Sequence, residues 1–172
     1  MMKKILMAFA FLLTGCVGLP ENVKSVDHFN TDKYLGKWYE IARLDHSFER
    51  GLSRVSANYS LRDDGGIRVI NRGYDAHKQR WKEAEGKAYF VDGADRGYLK
   101  VSFFGPFYGA YIVVDLDHEN YQYSLVSGPD KSYLWILSRT PQMNQETLNR
   151  LVEKAAALGF DTGKLIFVEH DK

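Results

Sequence analysis

The chain has 172 residues, with 23 Lys and Arg against 22 Asp and Glu, a formal net charge of +1. That length holds one domain with a substantial core and not two comfortable ones. The even charge excludes a nucleic-acid binder working through a basic surface, and the 45% hydrophobic content excludes an intrinsically disordered chain. A lone Cys excludes an intrachain disulfide framework and a thiolate metal cluster.

In chain order, residues 1–16 read MMKKILMAFAFLLTGC. Lys3 and Lys4 form a short positive region, and Ile5 to Leu13 is an uninterrupted apolar run. A bilayer-spanning helix needs roughly 20 such residues, so this run predicts the apolar centre of a signal peptide. Leu13-Thr14-Gly15-Cys16 resembles the lipobox of bacterial lipoproteins, in which the chain is cut before Cys and the thiol carries a diacylglycerol. The resemblance implies a signal peptide over 1–15, a lipid anchor at Cys16 and a membrane as partner. It also implies the outer membrane, facing the periplasm, because Val17 stands where Asp would favour retention at the inner membrane. Cleavage leaves 21 basic residues against 22 acidic ones, a net charge of −1. Attachment would then rest on acyl chains and not on a basic patch.

Residues 16–29 are polar and aperiodic apart from Pro20 and a few apolar positions, and are read as a lipid-anchored tether. The domain proper is expected over 30–172. From residue 37 the pattern has period two, with turn signals about every 8–12 residues, the signature of a barrel or sandwich. Strands are predicted over 37–43, 54–61, 67–74, 81–90, 98–104, 109–116, 121–128 and 133–139. The turn Asp64-Gly65 marks a tight hairpin. Short links imply antiparallel neighbours, and eight of them in sequence can close into an up-and-down barrel that has no exposed edge. One helix follows. Asn144 can cap it, Leu148, Leu151, Val152, Ala155 and Leu158 make its apolar stripe, and Gly159 can end it before Phe160. The stripe is read as packing against the outside of the barrel. A last short strand is expected over 165–169.

Specific residues then point to a family. Gly36-Lys37-Trp38 resembles the G-x-W motif of lipocalins, and Leu134-Trp135-Ile136-Leu137-Ser138-Arg139 ends on the single Arg that lipocalins place there. Tyr121 to Val126 falls where the family has its second signature, though its usual Thr-Asp-Tyr character is diluted. Over 30–170 the chain resembles the bacterial outer-membrane lipoprotein lipocalins, related to apolipoprotein D. The resemblance implies an all-β, eight-stranded antiparallel barrel with one helix outside. It also implies that Gly36, Trp38 and Arg139 close the barrel's base. A guanidinium can stack on an indole, which gives that closure a physical reason.

The topology assigns the loops 44–53, 75–80, 105–108 and 129–132 to the opposite end, the mouth. Phe48, Leu52, Phe107 and Tyr108 make that end apolar and aromatic, as binding sites on loops often are. Alternation places Val55, Ala57, Tyr59 and Leu61 on one inward face. It does the same for Ile67 and Val69; Ala84, Gly86, Ala88 and Phe90; and Leu99, Val101 and Phe103. Tyr121, Tyr123 and Leu125 are assigned inward as well, followed by Tyr133, Trp135 and Leu137. From these, the expected ligand-contacting residues are Tyr59, Val69, Phe90, Val101, Phe103, Tyr108, Tyr123 and Trp135. An apolar and aromatic interior with a few hydroxyls suits an acyl chain.

Catalytic motifs are missing from the sequence. The five His fall in predicted loops or tails without metal-ligand spacing, no G-x-S-x-G elbow is present, and the paired acids sit at hairpin turns. No cofactor, metal or nucleic acid is expected. The leading expectation is a tethered carrier or store of a fatty acid or lysophospholipid. The alternatives are a lipocalin-type enzyme on a lipophilic substrate, which a titratable cluster inside the barrel would favour, and an envelope protein-interaction module. Association of two copies as a homodimer is left open.

Overall fold

A computed structural model describes residues 17–171. Eight strands form the barrel: β1 (Gly36–Arg43), β2 (Leu52–Leu61), β3 (Ile67–Asp75), β4 (Arg80–Phe90), β5 (Tyr98–Phe104), β6 (Phe107–Leu116), β7 (Tyr123–Ser127) and β8 (Leu134–Ser138). Each pairs antiparallel with the next, and β1 pairs with both β2 and β8, which closes the sheet. The β1 strand changes partner along its length. Gly36 to Tyr39 pair with β2, whereas Ala42 and Arg43 pair with the short β9 (Ile166–Phe167). A register shift between Glu40 and Ala42 on the β8 side marks the change.

The barrel has apolar packing on both sides of one wall. Inside, Tyr59, Ile67, Val69, Ala88, Leu99, Val113, Val126 and Leu137 form one cluster. Outside, Ile112, Val114, Leu125, Leu134 and Ile136 form another under α2 (Gln145–Ala157), which lays Leu151 and Ala155 on them. This cover explains why residues 133–139 are apolar on both faces. The Asn144 side chain accepts the N–H groups of Glu146 and Thr147 and so starts the helix. At its other end the Gly159 N–H bonds to Ala156 O and the Phe160 N–H to Ala155 O, with Gly159 at φ +86°. That is the paired C-terminal bonding that glycine makes possible. Arg150 and Lys154, one turn apart, both donate to Asp115 Oδ2, at 3.1 and 2.6 Å, and tie the helix to β6.

The tether expectation needs correction. From Val23 onward the segment is packed on the barrel: Val23 and Phe29 are buried, and the Val26 N–H donates to Val113 O while Val26 O accepts from Gly97 N–H. The apolar side chains Val23, Val26 and Phe29 cover barrel surface that would otherwise face water. A one-turn helix, α1 (Thr31–Tyr34), then crosses the base, capped by Asn30, whose side chain accepts from Lys33 N–H. Tyr34 is carried into the barrel by this turn.

Candidate ligand-binding site

The base is sealed by Trp38, the first inward residue of β1, which is fully buried. Its indole N–H donates to Tyr34 O at 2.8 Å. The Arg139 guanidinium lies 3.9 Å from the centroid of the Trp38 ring. Arg139 also donates to the carbonyls of Tyr121, Lys37 and Lys33 at 3.1, 2.9 and 2.6 Å. One side chain thus joins β8, β1, α1 and the turn before β7. Gly36 sits at φ +92°, and a Cβ there would come within 3.5 Å of the Arg139 guanidinium. That distance is ordinary contact, so Gly36 is required by the left-handed turn into β1 and not by the space beside the stack.

Above this base the barrel encloses a cavity of about 910 Å³ that opens at the mouth. That lies within the range of small-molecule sites. Its wall includes Val55, Tyr59, Val69, Leu99, Val101, Phe103 and Trp135, so most of the expected inward residues come together there. Phe48, Phe104 and Phe107 are exposed at the rim.

Several expected residues lie elsewhere. Tyr123 faces outward, packed against the outer cluster beneath α2 with Arg150 over its ring at 5.0 Å. The parity failed because Tyr121 is not in the strand. Its φ of +54° turns its side chain into the base, where it is buried, and β7 starts afresh at Tyr123, putting Ser124 and Val126 inside instead. Leu125, expected inside with Tyr123, lies in the outer cluster too. Phe90 is inside but belongs to the base, edge-on to Phe29 at 6.1 Å, and does not border the cavity. Tyr108, by contrast, does line the cavity at its rim, with its ring 6.4 Å from Tyr89 and beneath Lys100. Leu61 is exposed at the end of its strand. Cys16 lies outside the described residues.

Sequence reasoning missed two polar groups in the cavity. The first is at the base. Tyr34, Tyr59 and Tyr111 meet through their hydroxyls, Tyr34 to Tyr111 at 2.7 Å and Tyr59 to Tyr111 at 2.9 Å, and Ser124 Oγ lies 3.2 Å from the Tyr34 hydroxyl. Burial pushes Tyr34 up to about 12 and carries Tyr59 and Tyr111 well above the usual phenol range. The hydroxyls therefore act as neutral donors and acceptors.

The second group lies on the mouth side. Glu40 and Glu49 border the cavity. Arg43, almost wholly buried, donates to Glu40 Oε1 at 2.7 Å and to the Glu49 carbonyl at 3.0 Å. Glu49 Oε2 accepts from the Trp135 indole N–H at 3.1 Å and lies 2.9 Å from His46 Nε2. Burial, together with the nearby Glu49, pushes the Glu40 carboxyl well above the usual range despite Arg43. Burial would raise Glu49 as well, but the His46 and Trp135 contacts outweigh it and leave that carboxyl below its ordinary value. His46 lies in a loop as expected, but it is buried there between Phe48 and Trp135, with ring centroids 3.9 and 5.2 Å away. One signal was available for Glu40: it shares strand parity with Trp38. The His46–Glu49 pair depends on a fold of the loop that no periodicity reveals. Three cationic side chains from this part of the chain are engaged, Arg50 with Asp45, Arg54 with Asp171 and Lys131 with the Leu158 carbonyl.

A closed antiparallel barrel, sealed at one end by a stacked Trp–Arg pair and hollow to the other, defines a ligand-binding barrel of the lipocalin class. The lipocalin-like domain model matches residues 29–170, and the chain belongs to that family. It is 62% identical over 158 residues to the outer membrane lipoprotein Blc of Vibrio cholerae, covering 92% of each chain. It is 53% identical over 162 residues to the protein of the same name from Escherichia coli K12, covering 93% of this chain and 91% of that one. Among solved structures, insecticyanin from the tobacco hornworm Manduca sexta shares the fold. Its TM-score is 0.72 at 20% identity, with 90% of this chain and 88% of that chain covered.

Proposed function

We propose that this protein is a lipid-anchored lipocalin of the outer membrane, facing the periplasm, that stores or carries a fatty acid or lysophospholipid in its barrel. The observation that carries the reading is the cavity: about 910 Å³, walled by aliphatic and aromatic side chains, closed at the base and open at the mouth. Burying an acyl chain there releases about 0.8 kcal/mol per methylene before the costs of association. The names of the relatives from Vibrio cholerae and Escherichia coli support the location, and the Leu13-Thr14-Gly15-Cys16 sequence supports the anchor at Cys16. Tyr59, Val69, Val101, Phe103 and Trp135 are the proposed contacts along the chain. The wall comes from one copy, so the reading does not require a second. Titration of delipidated protein with fatty acids and lysophospholipids, with mass spectrometry of copurified ligand, tests it. Saturable binding at micromolar affinity or tighter is expected, and no saturable binding to either class overturns it.

One observation favours a second reading. The group Glu40, Glu49 and His46 is the kind of titratable cluster that an enzyme on a lipophilic substrate would need. Against it, Glu49 is held by Trp135 and His46, and Glu40 by Arg43. These bonds fit a support for the mouth-side wall better than a free acid–base pair. Conversion of a bound lipid with turnover, lost in Glu49→Gln, would decide for the enzyme.

A further inference from the structure

The three tyrosines at the base form, with Ser124, one linear chain of hydroxyls: Ser124, Tyr34, Tyr111, Tyr59. Four hydroxyls carry four protons, and three links consume three of them. One donor is therefore always left over, and where each hydroxyl accepts a single bond it sits at one end of the chain or the other. Ser124 is fully buried, and the Tyr34 hydroxyl is its side chain's hydrogen-bond partner among the described residues. If Ser124 kept the spare proton, a donor would be stranded in a dry wall, at a cost of about 1–3 kcal/mol. The direction that avoids this runs from Ser124 through Tyr34 and Tyr111 to Tyr59. It leaves the spare proton on Tyr59, which borders the cavity.

The base also restricts what can accept that proton. Arg139, the cation stacked beneath it on Trp38, is already committed to three backbone carbonyls. The side chains packed with the tyrosines in the inner cluster, Ile67, Leu99 and Leu137 among them, are apolar and supply no counter-charge. A carboxylate or phosphate placed there would be desolvated without a counter-charge, which is costly. A neutral oxygen would accept from Tyr59 at no such cost. The base is closed, so an acyl ligand that keeps its charged end at the mouth brings its far end to the tyrosines.

We infer that the hydroxyl chain ending at Tyr59 is a second binding subsite, selecting acyl ligands that carry a neutral oxygen, a hydroxyl or carbonyl, at the end remote from the headgroup. This rests on the carrier reading and narrows its ligand class. A plain methyl terminus leaves the Tyr59 donor unsatisfied, whereas an oxygen satisfies it. One such bond in an apolar site corresponds to about a tenfold gain in affinity.

The test compares hexadecanoic acid with 16-hydroxyhexadecanoic acid by calorimetric titration of the delipidated protein and of its Tyr59→Phe/Tyr111→Phe variant. The hydroxylated acid is expected to bind the unaltered protein about tenfold tighter than the plain acid, with the ratio falling to about one in the variant. A second measurement needs no variant. With the ligand's terminal carbon labelled with carbon-13, nuclear Overhauser contacts from that carbon's protons to the Tyr59 and Tyr111 rings are expected. Equal or weaker binding of the hydroxylated acid overturns the inference and leaves the carrier reading standing. So does a preference that survives in the variant, or a terminal carbon with no contact to either ring. Failure of both acids to bind overturns the inference, and the carrier reading falls with it only if a lysophospholipid also shows no saturable binding.

Discussion

Replacing Arg139 by Met keeps most of the side-chain stem while removing the guanidinium that closes the base. The stack on Trp38, at 3.9 Å from the ring centroid, is worth about 1 kcal/mol in a half-buried setting. The bond to the Tyr121 carbonyl is partly buried and charge-assisted, worth about 1.5 kcal/mol. The bonds to the Lys33 and Lys37 carbonyls are exposed and contribute about 0.5 kcal/mol each. Together the variant should lose about 3–4 kcal/mol. For a chain of this length that corresponds to a fall in Tm of about 6–16 °C. Thermal unfolding followed by near-ultraviolet circular dichroism measures both the fall and the loss of the fixed Trp38 environment. A loss below about 1 kcal/mol would refute the reasoning, since it would mean that the base is held by apolar packing alone.

Three further outcomes follow from the geometry. Glu40 titrates above its ordinary value of 4.5 in the folded state, so the stability tied to its protonated form is complete below that value and is lost as pH rises through the folded pKa. Glu40→Gln does not titrate, so the stability of the unaltered protein relative to the variant should decline with rising pH, by up to about 1.4 kcal/mol per unit. A constant difference between pH 4 and 8 in denaturant titrations would contradict the burial argument. Gly86 has no room for a side chain: a Cβ would lie 2.8 Å from the Ser102 carbonyl and 2.9 Å from the Phe103 ring. Gly86→Val should therefore cost about 1–3 kcal/mol, and an unchanged Tm would count against the packing described. Tyr123→Leu, altering a side chain beneath α2, should leave acyl affinity within about twofold, whereas Val101→Trp, which fills the cavity wall, should abolish saturable binding.

Much of the fold was legible because period-two alternation and turn residues survive in a single sequence. The G-x-W start and the terminal Arg139 located both ends of the barrel. The inward face of β5, Leu99, Val101 and Phe103, was readable for the same reason. Parity is only as good as the strand's starting point, however. Tyr121, in a left-handed conformation, breaks the alternation and reverses the facing of Tyr123 and Leu125. The register shift in β1 does something similar beyond Glu40, so Ala42 joins the outer cluster. The polar groups of the cavity were hidden for a different reason. Tyr34 comes from a one-turn helix just ahead of the first strand, and His46 and Glu49 come from a loop. Their meeting with Tyr111 and Trp135 is a product of closure, with partners 77 and 86 residues apart in the chain.

The central claim is that the hollow of the barrel holds an acyl ligand, and Trp135 is placed to report on it. Of the three tryptophans, Trp38 is sealed beneath Arg139, Trp81 borders the cavity but is exposed, and Trp135 borders the cavity as a half-buried side chain bonded to Glu49. Titration of the delipidated protein with hexadecanoic acid and with a lysophospholipid, read by tryptophan fluorescence alongside the Trp135→Phe variant, is the most direct measurement. A saturable change with at least one of the two ligands, absent from the variant while calorimetry shows that the variant still binds, is the result predicted. No saturable binding of either ligand would contradict an acyl ligand inside the barrel.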